Sequence, residues 1–385
     1  MDIILQPGKL SGQIVAIPSK SMTHRALICA AFAKEFTTLL CTDGGEDVAA
    51  TCACLRALGA QIQRNEAGYI VQPIRQVAQE AVLPCKESGA TLRFLLPIVG
   101  ALGIDATFVL EGRLPQRPLS PLWEEMERMG CALTRPAENT IRCTGKLQPG
   151  HYRMDGGVSS QFISGLLLAL PLIQGESSLE ITGNIESRPY IEMTRYVLDQ
   201  FQNCHNSRYA VEGDWSNAAF WLAANTLGSQ IAVLGLQDDS CQGDQIIHTL
   251  LSNWQDNIVI CAADIPDLVP ILAVVAAAKG GATFTGIRRL RMKESDRVAS
   301  IIAMLQALGG NAEATEDTLT VYGTGLNGGI VDSFGDHRMV MSAAIAATIC
   351  KTAVTILGAE CVKKSYPTFW EDVSRLGGNY GEYLR

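Results

Sequence analysis

Residues 265–278 read Ile-Pro-Asp-Leu-Val-Pro-Ile-Leu-Ala-Val-Val-Ala-Ala-Ala. A polar opening at Asp267 gives way to an unbroken run of small and aliphatic residues from Leu268 to Ala278. The run falls short of the ~18–20 residues that a membrane span needs. It reads instead as an N-capped, almost wholly buried helix of about three turns. The same design occurs in five other places. Ser19-Lys20-Ser21 leads into His24–Ala33, and Glu87-Ser88-Gly89 into Leu92–Leu102. Ser159-Ser160-Gln161 leads into Phe162–Leu172, and Gly213-Asp214-Trp215-Ser216 into Ala218–Leu227. Gly335-Asp336-His337-Arg338 leads into Met339–Cys350. A second segment type follows several of these: an amphipathic helix, a glycine stop, then a strand. It is seen at Leu55–Ile62 around Gly59, at Met126–Leu133 around Gly130, at Met304–Ala312 around Gly309, and again near Gly377. A glycine there supplies the left-handed cap. Strands with period-two alternation, such as Thr318–Tyr322, lie between.

The spacing shows how the segments are organised. From Lys20 to Gly89, from Gly89 to Ser160, and from Asp267 to Arg338 the interval is about 70 residues. From Ser160 to Ser216 and from Ser216 to Asp267 it is roughly 15–20 residues shorter. The chain is therefore expected to be α/β, with six repeated β/α units in two domains of three. The third and fourth units are expected to have lost material near Gln202–Tyr209 and near Ser252–Ala263, and so to carry fewer strands or shorter helices.

Composition narrows the function classes. The 385 residues carry a net charge of -8, which argues against a broad basic surface for nucleic acid. The opening Met1-Asp2-Ile3-Ile4-Leu5 has no basic segment, so a secretory signal is not expected. Twelve cysteines and five histidines show no CxxC and no ligand-like spacing; the closest cysteine pair is Cys52 and Cys54. The expectation is reduced cysteines packed as small hydrophobes in a cytoplasmic protein without a metal site.

The cations stand at the helix openings. Lys20, Arg25, Arg93, Arg117, Lys293, Arg297, Arg338 and Lys364 all sit in or beside them. A basic side chain next to an apolar helix is costly unless paired or ligated. Free backbone N–H groups at a helix start favour phosphate or carboxylate. A site for small anions is the expectation.

At this point the ordered motifs resemble the 5-enolpyruvylshikimate-3-phosphate synthase family, from Pro18 to Pro367. They are Pro18–Arg25, Glu87–Arg93, Arg117-Pro118, Val158–Gln161, Ser187–Tyr190, Ile265–Asp267, Lys293–Arg297, Asp336–Arg338 and Lys364–Pro367. The resemblance implies a two-lobed enolpyruvyl transferase fold, each lobe three β/α units around buried parallel helices. One lobe would hold 1–18 plus 214–385 and the other 19–213. It implies transfer of the enolpyruvyl group of phosphoenolpyruvate to the 5-hydroxyl of shikimate 3-phosphate with release of phosphate, by a monomeric enzyme needing no metal or organic cofactor.

By the same resemblance Lys20, Gly89, Arg117, Gln161, Arg297, Arg338 and Lys364 would hold phosphoenolpyruvate. Ser21, Arg25, Ser159, Ser160, Ser187, Asp267 and Lys293 would hold shikimate 3-phosphate. Asp267 is the candidate base and Glu294 the candidate acid, with Lys20 sharing in proton transfer; two carboxylates in different surroundings can divide such work. Read without the resemblance, Asp267 is a helix cap and Glu294 a surface ion-pair partner. Glu87 stands where many members have Asn, and Arg289 where an Asn contact to shikimate 3-phosphate is often found. Two other readings stay open: the sister transferase acting on UDP-N-acetylglucosamine, whose usual loop cysteine is absent from Leu114–Pro118, and an inactive homologue kept as a binding protein.

Overall fold

A computed structural model describes residues 1–42, 44–203 and 207–383. Twelve α-helices are found among them, and they alternate in kind. The odd-numbered ones are the apolar runs: α1 (Lys20–Ala31), α3 (Gly89–Leu102), α5 (Ser160–Ala169), α7 (Trp215–Thr226), α9 (Val269–Ala278) and α11 (His337–Ala347). Most residues of each are buried. The even-numbered ones are α2 (Gly45–Ala57), α4 (Leu122–Arg128), α6 (Arg188–Asn203), α8 (Ile247–Ser252), α10 (Arg297–Ala307) and α12 (Phe369–Arg375). Gly59, Gly130, Gly309 and Gly377, just beyond α2, α4, α10 and α12, all have positive φ. This is the backbone state that ends a helix cheaply only with glycine.

The chain divides into two compact units, Met1–Ile17 with Glu212–Arg385, and Pro18–Val211. Each carries three sheets, and four of the six follow one plan in full, two of them with a borrowed strand. A strand leads into an apolar helix, a parallel strand follows, then an amphipathic helix, then an antiparallel strand pair. In the sheet Glu80–Lys86, Asp105–Leu110, Thr140–Gly145, Cys131–Thr134 the plan is complete. It is also complete in the sheet Ile258–Cys261, Ala282–Thr285, Thr318–Tyr322, Asn311–Ala314. The two remaining four-stranded sheets borrow a strand from a distant part of the chain. Arg208–Ala210 pairs in parallel with Thr37–Leu40. Ile3–Leu5 lies between Val354–Leu357 and Tyr380–Glu382, antiparallel to both.

The third and fourth sheets have two strands each: His151–Asp155 with Ser178–Thr182, and Ser11–Val15 with Gln230–Leu234, both parallel. What they lack is the antiparallel pair that elsewhere follows the amphipathic helix. After α8 ends at Ser252, the next strand, Ile258–Cys261, already belongs to the fifth sheet. After α6 ends at Asn203, the next described strand, Arg208–Ala210, belongs to the first sheet. The interval Gln202–Tyr209 includes 204–206, which lie outside the described residues. Both sheets thus lack a strand pair; of the helices in these units, α6 is the longest described and α8, with 6 residues, is the shortest α-helix described.

Apolar helices pack on one another inside each unit: α3 against α5, and α7, α9 and α11 mutually. The α3–α5 approach is close enough to demand a glycine. A Cβ on Gly165 would lie 2.2 Å from the carbonyl oxygen of Arg93. Gly165→Ala therefore forces two helix backbones apart, an overpacking cost of about 3 kcal/mol. Thermal denaturation should show a clearly lowered Tm, and an unchanged Tm would contradict this packing.

Eleven cysteines are described and all are free thiols. Eight are buried, including Cys52 and Cys54, whereas Cys261 is exposed. Burial pushes the Cys29 and Cys52 thiols up to about 12, so they behave as small hydrophobes. Among the described residues no group of three or more His, Cys, Asp or Glu could hold a metal ion. No described helix is long and apolar enough to cross a membrane.

Candidate active site

In the unit holding Glu212–Arg385, Arg297 is the centre of the charged cluster. It is the first residue of α10 and its side chain is 1% exposed. A guanidinium so deeply buried requires partners on every edge. Nη1 donates to Asp267 Oδ1 at 2.7 Å, Nη2 to Glu294 Oε2 at 2.8 Å, and Nε to Asp336 Oδ2 at 2.8 Å. Ser295 Oγ also donates to Asp336, at 3.2 Å. Burial works against the charges of Arg297 and Asp336, and their mutual attraction outweighs it. Arg297 is held well above its usual range, with help from Glu294 and Asp267, and Asp336 is held below the usual carboxylate range.

Asp267 is shared. Its Oδ2 accepts from Arg338 Nη2 at 2.9 Å, Arg338 Nη1 reaches its carbonyl at 3.3 Å, and Lys293 Nζ lies 3.8 Å from Oδ1. Burial would raise this carboxyl, but Arg338, Lys293 and Arg297 together hold it well below the usual range. Burial lowers the Lys293 amine to about 8, against the pull of Asp267 and with repulsion from Arg297 and Arg289. The cap reading of Asp267 fails on geometry: α9 begins at Val269 after Leu268, with no side-chain cap. The carboxylate is committed to the cations. The neighbouring opening differs, since Asp336 caps α11 through Oδ1, accepting from the Arg338 N–H at 3.0 Å, while Oδ2 meets Arg297. Lys364 Nζ donates to the Gly335 carbonyl at 2.9 Å, beside the same opening.

In the unit Pro18–Val211, Lys20 starts α1 and pairs with Asp47 of α2 at 2.9 Å. His24 bonds Thr51 at 2.7 Å, Thr51 bonds Thr91 at 2.7 Å, and Thr91 donates to the cap residue Ser88 at 2.7 Å. This chain of hydroxyls fixes the opening of α3 to α1 and α2. Burial, reinforced by Lys20 and Arg25, brings His24 down to about 3 despite Asp47, so its ring is neutral.

Gly89 opens α3 and touches two guanidinia. A Cβ there would lie 2.7 Å from Arg93 Nη1 and 2.8 Å from Arg117 Nη1. Arg93 Nη1 donates to Gln161 Oε1 at 2.9 Å and Nη2 to the Pro118 carbonyl at 3.3 Å. Gly89, Arg117 and Gln161 are thus brought together around Arg93. Arg25, buried in α1, donates to Thr194 Oγ1, the Ser21 carbonyl, Ser164 Oγ and the Tyr190 carbonyl. It ties Ser21 to the start of α6, next to Ser187, which is buried with φ 55. Ser159 caps α5, and Ser160 is its first residue.

The structure adds residues that received no role from the sequence. Asp47 holds Lys20, Asp336 holds Arg297, and Arg93 joins Gly89 to Gln161. Asp336 and Arg93 stood inside quoted motifs. Asp47 stood in an amphipathic helix, where an acid near the N-terminus looks like an ordinary dipole partner.

The family model of EPSP synthase (3-phosphoshikimate 1-carboxyvinyltransferase) matches residues 4–204 and 202–373. The chain belongs to the EPSP synthase family. A 3-phosphoshikimate 1-carboxyvinyltransferase of Clostridium kluyveri is 38% identical over 419 aligned positions, covering 99% of this chain and 98% of that protein. One from Clostridium acetobutylicum is likewise 38% identical, covering 98% of each. Those alignments are longer than the 385 residues here, so these relatives carry residues without a counterpart in this chain. Among solved structures, EPSP synthase of Acinetobacter baumannii superposes with TM-score 0.78 at 23% identity, covering 99% of this chain and 100% of that one. The enolpyruvyl transferase NikO of Streptomyces tendae gives 0.77 at 18%, covering 99% and 98%. These two establish the shared two-domain α/β enolpyruvyl transferase fold. The names of the full-length relatives favour the EPSP synthase reading over the UDP-N-acetylglucosamine sister and over an inactive homologue.

Proposed function

We propose that this EPSP synthase family member is a 3-phosphoshikimate 1-carboxyvinyltransferase of aromatic biosynthesis. It moves the enolpyruvyl group of phosphoenolpyruvate to the 5-hydroxyl of shikimate 3-phosphate. The observation that carries the residue-level reading is the sharing of Asp267 between Arg297 and Arg338. Two guanidinia and Lys293 converge on one carboxylate, and a small polyanion can compete with that carboxylate for all three.

In the reaction the 5-hydroxyl oxygen bonds to C2 of phosphoenolpyruvate, its proton passes to a base, and C3 gains a proton to become a methyl. Phosphate then leaves C2 as C3 loses a proton, which restores the double bond. Asp267 is the base. The cations hold its carboxyl low and make it a weak base. Anionic substrates that draw Arg297 and Arg338 away raise its basicity at the moment it is needed. Glu294, 26% exposed and paired with Arg297, is the acid toward C3, with Lys20 sharing in the transfer.

Phosphoenolpyruvate is assigned to Lys20, Gly89, Arg117, Gln161, Arg297, Arg338 and Lys364. Shikimate 3-phosphate is assigned to Ser21, Arg25, Ser159, Ser160, Ser187, Asp267 and Lys293. Neither a metal nor an organic cofactor is assigned a step, because the phosphate ester of the enol is itself the leaving group. A monomer in the cytoplasm, with no nucleic-acid or membrane partner, completes the reading.

Lys20→Ala and Arg338→Ala test the assignment. Each removes a charge meeting a substrate anion in a water-poor site, a loss of about 2–4 kcal/mol in kcat/KM. Circular dichroism and Tm should stay near wild type for Lys20→Ala, whose partner Asp47 is already part-exposed. Wild-type kcat/KM in either variant removes that residue from the site.

A further inference from the structure

Two rungs join α1 to α2. In the outer one Lys20, the first residue of α1, meets Asp47, and both side chains are partly exposed, at 19% and 18%. In the inner one, a turn further along each helix, His24 Nδ1 bonds Thr51 Oγ1 at 2.7 Å. The inner rung continues into α3. Thr51 bonds Thr91 at 2.7 Å, and Thr91 Oγ1 donates to Ser88 Oγ at 2.7 Å. Ser88 in turn caps α3 by accepting from the Thr91 N–H at 3.2 Å. His24, Thr51, Ser88 and Thr91 are at most 1% exposed, so a substrate does not reach them. A hydroxyl has one hydrogen to give. With Thr91 giving its own to Ser88, Thr51 gives to Thr91, and the Nδ1 hydrogen of His24 goes to Thr51. The reverse order would put the ring hydrogen on Nε2, which is buried with no hydrogen-bond partner, and a buried donor left unpaired is costly.

We propose that Thr91 is a positioning residue for phosphoenolpyruvate, because its hydroxyl keeps the opening of α3 in register with Lys20. The inference rests on the assignment of Lys20, Gly89 and Arg117 to that substrate. Gly89 follows the Ser88 cap and lies against Arg117, whose Nη1 would be 2.8 Å from a Cβ there. An anion that draws Lys20 from Asp47 opens the outer rung, whereas the inner rung, closed to solvent, holds. The buried hydroxyls then keep Lys20 and the α3 opening at their spacing while the anion binds. The residues assigned to shikimate 3-phosphate are tied down separately, since Arg25 joins α1 to α6 through Thr194 Oγ1 at 2.7 Å and the Tyr190 carbonyl at 3.0 Å. Loss of the Thr91 hydroxyl therefore falls on one substrate and spares the other. No covalent step is involved.

The test compares wild type with Thr91→Val, Thr91→Ser, Thr51→Val and the double variant Thr51→Val/Thr91→Val. Valine keeps the branched shape and loses the hydroxyl. Thr91→Val should raise the KM for phosphoenolpyruvate on the order of tenfold. The Kd for shikimate 3-phosphate should stay within about twofold of wild type. Thr91→Ser, which restores the hydroxyl, should restore the KM. The double variant should be no worse than the poorer single one, since both changes break the same chain. Hydrogen exchange in the first turn of α3 should quicken in the valine variants and return to the wild-type rate in Thr91→Ser. A purely structural role would lower Tm without separating the two substrates. An unchanged KM in folded Thr91→Val overturns the proposal. So does a serine variant as impaired as the valine, a loss shared equally by shikimate 3-phosphate, or additive losses in the double variant. Should Thr91→Val fail to fold, Thr51→Val decides on the same readouts. A wild type that turns over neither substrate, with exchange responding as described, contradicts the functional reading instead, since the helix opening would be held with no phosphoenolpyruvate to meet it.

Discussion

Asp267→Asn should lower kcat by about 10²–10⁴-fold while shikimate 3-phosphate binding changes by less than about tenfold. The side chain touches Arg297 through Oδ1 and Arg338 through Oδ2. An amide keeps the shape and one acceptor, so one guanidinium stays held and the local fold survives. The amide cannot take a proton from the 5-hydroxyl, and that is the function assigned to the carboxylate. Single-turnover kinetics with a separate binding titration of shikimate 3-phosphate distinguishes the two effects. Lost binding with normal turnover per bound complex would make Asp267 a substrate ligand and not the base.

The second large effect is on stability. Arg297→Met should destabilise the protein by about 3–5 kcal/mol near neutral pH, because it leaves buried Asp336 without the cation that offsets its burial. The pH dependence gives the claim a sign. In wild type Asp336 is held below its ordinary value by Arg297. A depressed carboxyl contributes stability that is fully present above the unfolded value of about 4 and is lost as pH falls through the folded value. The gap between wild type and Arg297→Met, measured by urea unfolding, should therefore be widest above about pH 5 and shrink toward about pH 3. A gap that is constant over this range would mean that packing, and not the ion pair, is what the methionine disturbs.

Much of the architecture was legible because it rests on local chemistry. The runs after Asp267 and Asp336 are too apolar to lie anywhere but inside, and α9 and α11 are buried along their length. Gly309 and Gly377 stop their helices in the left-handed conformation. The uneven spacing pointed to the third and fourth units, and the two-stranded sheets fall there. The nature of the shortening was not legible. Spacing counts residues and does not say that a strand pair, rather than a loop, is gone. Nor could periodicity show that Arg208–Ala210 completes the first sheet and Ser11–Val15 the fourth, since strand pairing across the chain leaves no local trace.

The candidate site shows the same division. Cations at helix openings were visible one by one, and the resemblance assembled them into a list. The pairings were not visible. Asp267 looked like a cap on its own sequence, yet the helix starts after Leu268 and the carboxylate faces Arg297 and Arg338. Asp47 carries no signal in the sequence, because an acid becomes informative only when burial and its neighbours are known. Arg25 stood on the list of shikimate 3-phosphate ligands. In the structure it donates to Thr194, Ser164 and the Ser21 and Tyr190 carbonyls, an arrangement in which it also shapes the position of Ser21.

A chain lacking the strand pair of two of its six units is expected still to carry the transfer. Phosphate release by the purified protein, followed with both substrates together and with each omitted, tests it most directly. The expected result is sustained release that requires phosphoenolpyruvate and shikimate 3-phosphate and yields the enolpyruvyl ether in equal amount. Absence of release from folded protein, or release that proceeds with UDP-N-acetylglucosamine in place of shikimate 3-phosphate, would contradict it.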